Sequence, residues 1–315
     1  MAPRIGIISN PRSSSHRAGS AGLAEAAARL PHAAPESREA LGAALARFSA
    51  DGVEIVAVHG GDGTLREVLS ALPRVWTGPM PAIAPLPAGR TNLAAHTLGY
   101  PASSRREDRT GLRHLLAAAE AGRLRRQSRP VLEISGAGAA PMRGLLFGAA
   151  AFTQAVGLAE GRLHRHGLMD NAVVGMTGAL MAAQALVGRG AFGRALRQGT
   201  AMQVACGGDA MTDGPRFILL ATTLDRLMLG LWPFWGGGEG AIRVLDVAAP
   251  PQRLGAGLWS LLRHRPPALP GWHSRRASTL HISLQDGFVL DGETFQPGPD
   301  GIRLSATAPL TFVSA

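Results

Sequence analysis

Val56-Ala-Val-His-Gly-Gly-Asp-Gly-Thr-Leu-Arg-Glu-Val68 reads as a strand that runs into a glycine loop and then into a helix. Gly60, Gly61 and Gly63 let backbone amides come close to a ligand, and Thr64 is expected to cap a helix whose amino terminus favours anions. That much describes any phosphate cradle. Asp62 adds a distinction, because a carboxylate among phosphate-binding amides repels phosphate unless a cation, or a proton in transfer, compensates it. The glycines do not follow the Gly-x-Gly-x-x-Gly spacing, which disfavours a dinucleotide-binding dehydrogenase and leaves metal-assisted phosphoryl transfer. The bland alternative is a tight strand-to-helix turn with Asp62 as a helix cap. Glu67, one turn into the helix, is either a solvated charge or a support for the loop.

Outward from this loop, short β-rich runs alternate with helical patterns: Ile5 to Ser9, Ala18 to Leu30, Glu36 to Phe48, Val53 to Val58 and Leu65 to Leu72. This is the rhythm of a parallel sheet with crossover helices. Another apolar run, Ala82 to Leu86, ends in Pro87-Ala88-Gly89, and Thr91 to Leu98 opens the next helix. Loops after such strands gather at one edge of the sheet, where α/β proteins bind ligands.

Beyond the basic segment Arg123 to Arg129 the texture changes to paired short strands, Val131 to Ser135 and Gly144 to Gly148, joined by a Gly/Ala/Pro turn. Further strands are expected at Phe217 to Thr222, Ala241 to Val247, Thr279 to Leu284 and Phe288 to Leu290, with a helical excursion between Phe152 and Leu196. The expected organisation is a parallel α/β domain over residues 1–127 and a mainly antiparallel β domain over residues 128–315.

The chain has 315 residues, enough for two domains with real cores, and its 46% hydrophobic content argues against disorder. It contains no lysine, so all 32 basic residues are arginine. A Walker A loop, a protein-kinase site and Schiff-base catalysis all need that missing amine and are excluded. The formal net charge of +10 attracts anionic lipid headgroups and phosphorylated substrates. Nucleic acid is not expected as a partner, since no zinc-finger spacing or aromatic RNA-binding signature accompanies the charge. Cys206 is the single cysteine and fits a reducing cytoplasm. Met1 leads into a strand-like segment without the apolar stretch of a signal peptide, and Asn171 to Gly188, the least polar stretch, reads as a buried helix rather than a transmembrane segment.

Gly60-Gly-Asp-Gly-Thr64 with Glu67 resembles the nucleotide loop shared by diacylglycerol kinases, sphingosine kinases and NAD kinases. Asn10-Pro11, followed by Ser13, resembles the lipid kinases' Asn-Pro-x-Ser-Gly phosphate loop, and Pro85-Leu-Pro-Ala-Gly-Arg-Thr-Asn92 resembles their Pro-x-Gly-Thr-x-Asn segment. Leu290-Asp-Gly-Glu293 resembles their catalytic Asp-Gly-Glu. The four pieces span almost the whole chain in the family's order. The resemblance implies an NAD kinase/diacylglycerol kinase-like two-domain fold that binds ATP with Mg2+. It assigns nucleotide contacts to Asn10, Pro11, Ser13, Gly60, Gly61, Asp62, Gly63, Thr64, Glu67, Gly89, Arg90, Thr91 and Asn92, and catalysis to Asp62, Asp291 and Glu293.

Departures from the family's pattern accompany it. Ser14 stands where the first loop usually has Gly, and Arg90 where a nucleotide-contacting Thr is common. Arginine grips phosphate through two N–H groups, so either Arg90 replaces that contact or Thr91 supplies it after a shift. Trp235-Gly-Gly-Gly-Glu-Gly240 offers only Glu239 where the family often has an Asp-rich loop for a structural magnesium ion.

Asp291 and Glu293 can accept the proton of a substrate hydroxyl, although Asp-Gly is also a common hairpin turn. Trp232-Pro-Phe-Trp235 is either core packing or a lipid-facing edge, and His164 and His166 beside Arg162 and Arg165 form a charged helix face. The leading expectation is a cytoplasmic, peripherally membrane-associated lipid kinase, with ATP between the first domain's loops and the second domain and a lipid acceptor at an anionic membrane surface. The alternatives are an NAD kinase, which would not need Leu290-Asp-Gly-Glu293, and a nucleotide-binding regulatory protein whose catalysis has decayed.

Overall fold

The protein is described by a computed structural model, covering residues 2–11, 23, 25–26, 28–88, 92–97, 108–157, 190–227, 232–263 and 265–315. Ser13, Ser14, Gly89, Arg90, Thr91, the 158–189 stretch with its histidines and apolar run, and most of Ala18 to Leu30 lie outside the described residues. Two compact units emerge, one formed by Met1–Pro130 with Ala308–Ala315 and the other by Val131–Thr307.

In the first unit β1 (Ile5–Ser9), β2 (His32–Ala33), β3 (Ile55–Gly60) and β4 (Ala82–Pro87) are joined by crossovers that include α1 (Arg38–Ala50) and α2 (Asp62–Val75). The short α3 (Leu93–Thr97), α4 (Asp108–Glu120) and β5 (Arg125–Arg129) follow. Strands β1, β3 and β4 are buried at every position, which is why they read as continuous apolar runs rather than as alternating ones. Helix α1 begins at Ser37, whose side chain accepts the Ala40 N–H at 3.1 Å.

The six-stranded sheet has the order β2-β1-β3-β4-β17-β5, where β17 is Leu310–Ser314 at the end of the chain. β17 runs parallel to β4 through Phe312 and Ile83, and pairs antiparallel with all five residues of β5. The expectation that 128–315 forms one second domain is therefore corrected for its last eight residues. Their backbone groups are satisfied in the first sheet, a non-local pairing that no local pattern announces. The basic segment supplies the edge strand β5, where Arg125 and Arg126 are exposed and oppose further strand addition.

The second unit contains β6 (Leu132–Ser135), β7 (Met142–Gly144), β8 (Leu146–Ala150), α5 (Gly190–Gln198), β9 (Thr200–Cys206), β10 (Thr212–Thr222), β11 (Ile242–Ala248), α6 (Leu254–Leu262), β12 (Trp272–Ala277), β13 (Thr279–Leu284), β14 (Phe288–Leu290), β15 (Glu293–Phe295) and β16 (Ile302–Ala306). All its strand pairs are antiparallel. One edge of β10 is shared, with Thr212 to Arg216 pairing β9 and Ile218 to Thr222 pairing β8, while its other edge pairs β11. A register shift between Arg216 and Ile218 marks the change of partner.

One sequence expectation needs correction here, and one open alternative is decided. Gly144 to Gly148 is not one strand: β7 pairs β6, and β8 pairs β10 and β14, with Leu145 at the break. Trp232 to Trp235 is core packing, since Phe234 is buried and both tryptophans pack, partly buried, against the cluster of Phe217, Val247 and Trp272.

Within this unit Arg216 and Asp246 are both buried, and the guanidinium Nε lies 2.9 Å from the carboxylate. Arg216 also donates to the Gly214 carbonyl at 2.9 Å and the Thr212 hydroxyl at 2.8 Å. Removing one partner of such a pair leaves a buried charge uncompensated. Arg216→Met is expected to cost about 3–5 kcal/mol, read as a lower melting temperature and an earlier denaturant midpoint. A variant that melts with the wild type would show that Asp246 is solvated or neutralised without Arg216.

Candidate active site

The order of the first sheet reverses direction between β1 and β3: the chain leaves β1 to one side for β2 and returns to the other side for β3. The carboxyl ends of those two strands form the crevice in which doubly wound sheets bind ligands. Asn10 follows β1, and the glycine turn Gly60-Gly-Asp-Gly follows β3.

The two loops are tied together. The Asn10 backbone N–H donates to the His59 carbonyl at 3.1 Å, and its side-chain Nδ2 donates to Thr64 Oγ1 at 3.0 Å. Ala88, after β4, donates its N–H to the Gly60 carbonyl at 3.2 Å, which brings in the third loop. A Cβ on Gly60 would stand 2.5 Å from Thr64 Oγ1, so glycine at this position makes the Thr64 contact possible. The role expected for Gly60, approach to a ligand, is thus joined by a packing role inside the loop.

Thr64 does not cap the helix. Gly61 occupies the N-cap with extended backbone and no side-chain capping bond, and α2 starts at Asp62. The helix begins earlier than Thr64 because Leu65 already donates to the Gly61 carbonyl at 3.1 Å. Asp62 is therefore the first helical residue rather than a cap. Its carboxylate belongs to the first turn, where the helix dipole favours negative charge. Beside it lies a small, open cleft lined by Gly60, Gly61, Asp62, Leu65, Asn92 and Ala95 among others. Asn92 is buried with a left-handed backbone, φ 50°, and leads into α3.

Glu67 is not a freely solvated charge. Arg38 of α1 grips it through two N–H groups at 2.9 and 3.1 Å, and the buried Arg66 donates to it at 2.8 Å. Burial alone would raise the Glu67 pKa, yet the hydrogen bonds from Arg66 and Arg38 hold the carboxyl below its usual range. The clamp staples α1 to the first turns of α2, so Glu67 supports the helix that follows the glycine turn. Sequence reading misses Arg38 and Arg66, because one lies 29 residues away and the other resembles a surface charge.

In the second unit, Leu290-Asp-Gly-Glu293 is a two-residue hairpin in which Leu290 pairs with Glu293. Asp291 and Gly292 have φ of 50° and 84°, the left-handed pair that such a turn requires. The turn reading is thus correct as geometry. It does not exhaust the residues, because the Asp291 carboxylate accepts the N–H groups of Leu145 at 3.0 Å and Leu146 at 2.9 Å, while its own N–H donates to the Leu146 carbonyl. This three-bond anchor is what splits β7 from β8, and Gly144 leaves room for it, since a Cβ there would lie 2.6 Å from Asp291 Oδ2. Glu293 opens β15 with its side chain exposed.

A magnesium ion that arrives with nucleotide takes one or two carboxylates and completes its shell with phosphate oxygens and water. Asp62 fits that demand. Among the described residues no group of three or more His, Cys, Asp or Glu side chains could hold a metal on its own.

Residues 4–123 match the family model described as "Diacylglycerol kinase catalytic domain", the segment that carries the glycine turn. Among curated proteins, none matches the sequence. Two solved structures of a provisionally assigned diacylglycerol kinase from Bacillus anthracis strain Sterne share 13% and 15% identity, with TM-scores of 0.65 and 0.63. Each alignment covers 99% of this chain and 97% of the other. A third structure, of a diacylglycerol kinase from the same strain, has a TM-score of 0.58 at 13% identity. At such identities the likeness speaks for the two-unit fold, and the family-model match concerns the first unit's residues 4–123. On these two findings residues 4–123 are similar to the diacylglycerol kinase catalytic domain, and the chain shares the two-unit fold of the solved diacylglycerol kinase structures.

Proposed function

We propose that this protein is an ATP- and magnesium-dependent kinase that transfers the terminal phosphate of ATP to a hydroxyl of a membrane lipid such as diacylglycerol or a sphingoid lipid. The observation that carries the reading is the placement of Asp62 at the first position of α2, in a glycine turn at the point where the first sheet's strand order reverses. Backbone amides of the turn suit phosphate oxygens, and the carboxylate suits the cation that accompanies them. Bound magnesium would neutralise charge on the phosphoryl group in transfer.

The remaining chemistry falls to the chain's own side chains. An alcohol is a poor nucleophile until its proton is accepted. In this reading Glu293 takes that proton as the alcohol oxygen bonds to the γ-phosphorus and the bond to the β–γ bridging oxygen breaks, releasing ADP. Asp291 has its carboxylate committed to two backbone amides, which favours Glu293 as the base and gives Asp291 the work of holding the hairpin. Asn10 and Thr64 keep the two phosphate loops in register.

The direct experiment supplies labelled ATP, magnesium and a total lipid extract, then identifies phosphorylated species by mass spectrometry. A labelled lipid is expected. Label appearing on NAD in a parallel incubation and on no lipid would replace this reading with NAD kinase, and ATP binding without turnover would point to a regulatory protein.

Asp62→Asn keeps the shape of the side chain and removes its charge, so the variant is expected to melt with the wild type and lose about a hundredfold or more in turnover. Wild-type turnover would remove Asp62 from the chemistry.

The two hairpin carboxylates should separate in a joint measurement of melting and kinetics. Glu293→Gln is expected to keep the wild-type melting temperature and ATP affinity while kcat falls by about a hundredfold to ten-thousandfold. Asp291→Asn replaces one acceptor oxygen with a donor facing backbone N–H groups, so both stability and turnover should drop, the former by about 1.5–3 kcal/mol. Full turnover in Glu293→Gln with a dead but stable Asp291→Asn would reverse the two roles.

A further inference from the structure

Helix α6 (Leu254–Leu262) contains no charged residue, and two of its faces carry apolar side chains. Leu254, Gly257, Leu258 and Leu261 recur at helical spacing and turn inward, where Trp272 packs against the helix at Gly257. Ala256, Trp259 and Leu262 follow one another at every third position on the outward face. Trp259 is 57% exposed and Leu262 59%, two of the four large apolar side chains that stand out in water among the described residues. A helix apolar on two sides is expected to be covered on both, and among the described residues the second unit's core covers only one.

The charge around this face is one-sided. From Val247 to Gln285 the sequence holds five arginines and neither Asp nor Glu. Three of them, Arg253, Arg263 and Arg265, bracket α6 and are exposed. The Arg263 guanidinium lies over the Trp259 ring at 4.4 Å, so cation and indole are presented side by side. An exposed indole with an aliphatic neighbour and a collar of cations is the chemistry of a surface that sinks its apolar tips below a layer of phosphate headgroups.

We propose that the outward face of α6 docks the protein on anionic phospholipid bilayers, with Trp259 and Leu262 entering the headgroup boundary and Arg253, Arg263 and Arg265 meeting lipid phosphates. The inference rests on the lipid-kinase reading for its purpose and on the face itself for its chemistry, and it names the surface that presents the enzyme to its acceptor. The full-length chain alone is needed to test it. Sedimentation with vesicles of equal parts phosphatidylglycerol and phosphatidylcholine is compared with phosphatidylcholine alone, for the wild type, for Trp259→Ser with Leu262→Ser, and for Arg263→Gln with Arg265→Gln. Phosphorylation of lipid dispersed in detergent is measured alongside.

The wild type is expected to prefer the anionic vesicles, with binding weakened by salt, and each double variant to lose about tenfold or more in partition. Turnover on detergent-dispersed lipid should stay at the wild-type level in both variants. Wild-type vesicle binding by the Trp259/Leu262 variant overturns the proposal. So does a wild-type dimer in sedimentation velocity that the same variant converts to monomer, which would show a second copy covering the face. Vesicle binding that follows the expected pattern while no lipid is ever phosphorylated would leave the docking surface standing and remove the kinase reading. Phosphorylation with unaltered binding in the variants would do the reverse.

Discussion

Val131 and Thr307 hold each other by two hydrogen bonds: the Val131 N–H donates to Thr307 Oγ1 at 3.1 Å, and the Thr307 N–H donates to the Val131 carbonyl at 3.0 Å. These are the first and last residues of the second unit. Their clasp makes that unit an insertion with adjoining ends, and it lets β17 continue into the first sheet. The first sheet is therefore incomplete until the last residues of the chain exist. β4, which carries one of the three loops at the candidate nucleotide site, is flanked on its outer side by that late strand. The strand pairings that join positions 83 and 312 are among the most non-local in the chain, and loop closure on that scale is slow relative to local helix formation.

What can be read from the sequence follows the same division. β1, β3 and β4 are buried on both faces, so their composition alone announces them, and the glycine turn after β3 is visible because three glycines crowd one Asp at a strand end. β17 is not legible in the same way. Its residues have strand character, yet nothing local says which sheet a terminal strand joins. The break at Leu145 is equally hidden, since it is caused by a carboxylate 146 residues away in sequence. Thr64 misleads for a subtler reason: threonine is a common cap, and here the helix starts two residues earlier, leaving the hydroxyl to accept from Asn10 instead. The alternation of the second unit's strands is legible, but the sharing of β10 between β8 and β9 is not.

Leu290-Asp-Gly-Glu293 shows why a turn signal and a catalytic signal need not exclude each other. The left-handed backbone at Asp291 and Gly292 directs the chain back on itself, and the Asp291 carboxylate then reaches backbone amides of the β7–β8 break. A carboxylate whose oxygens are occupied by two amide N–H groups has little left with which to meet a substrate hydroxyl. Glu293, one residue past the turn, keeps its side chain exposed. The same motif thus contains one carboxylate used for shape and a second that the shape presents.

The absence of lysine reads as a property of the whole composition, yet the arginines do work that lysine would do poorly. Arg38 holds Glu67 through two parallel N–H groups, a fork that an ammonium lacks. Arg216 is buried beside Asp246, where a lysine is prone to shed its proton and leave the carboxylate alone. Arg125 and Arg126 guard a sheet edge, and Arg263 stacks on an indole. These are a clamp, a buried pair, an edge guard and a stacked cation, and the net charge of +10 counts them alike. Of the four, the stacked cation is the one that stands beside two large exposed apolar side chains. Charge in a sequence measures how strongly a protein can be drawn to an anionic surface; which side arrives first depends on where charge and exposed apolar area coincide, and among the described residues they coincide on α6.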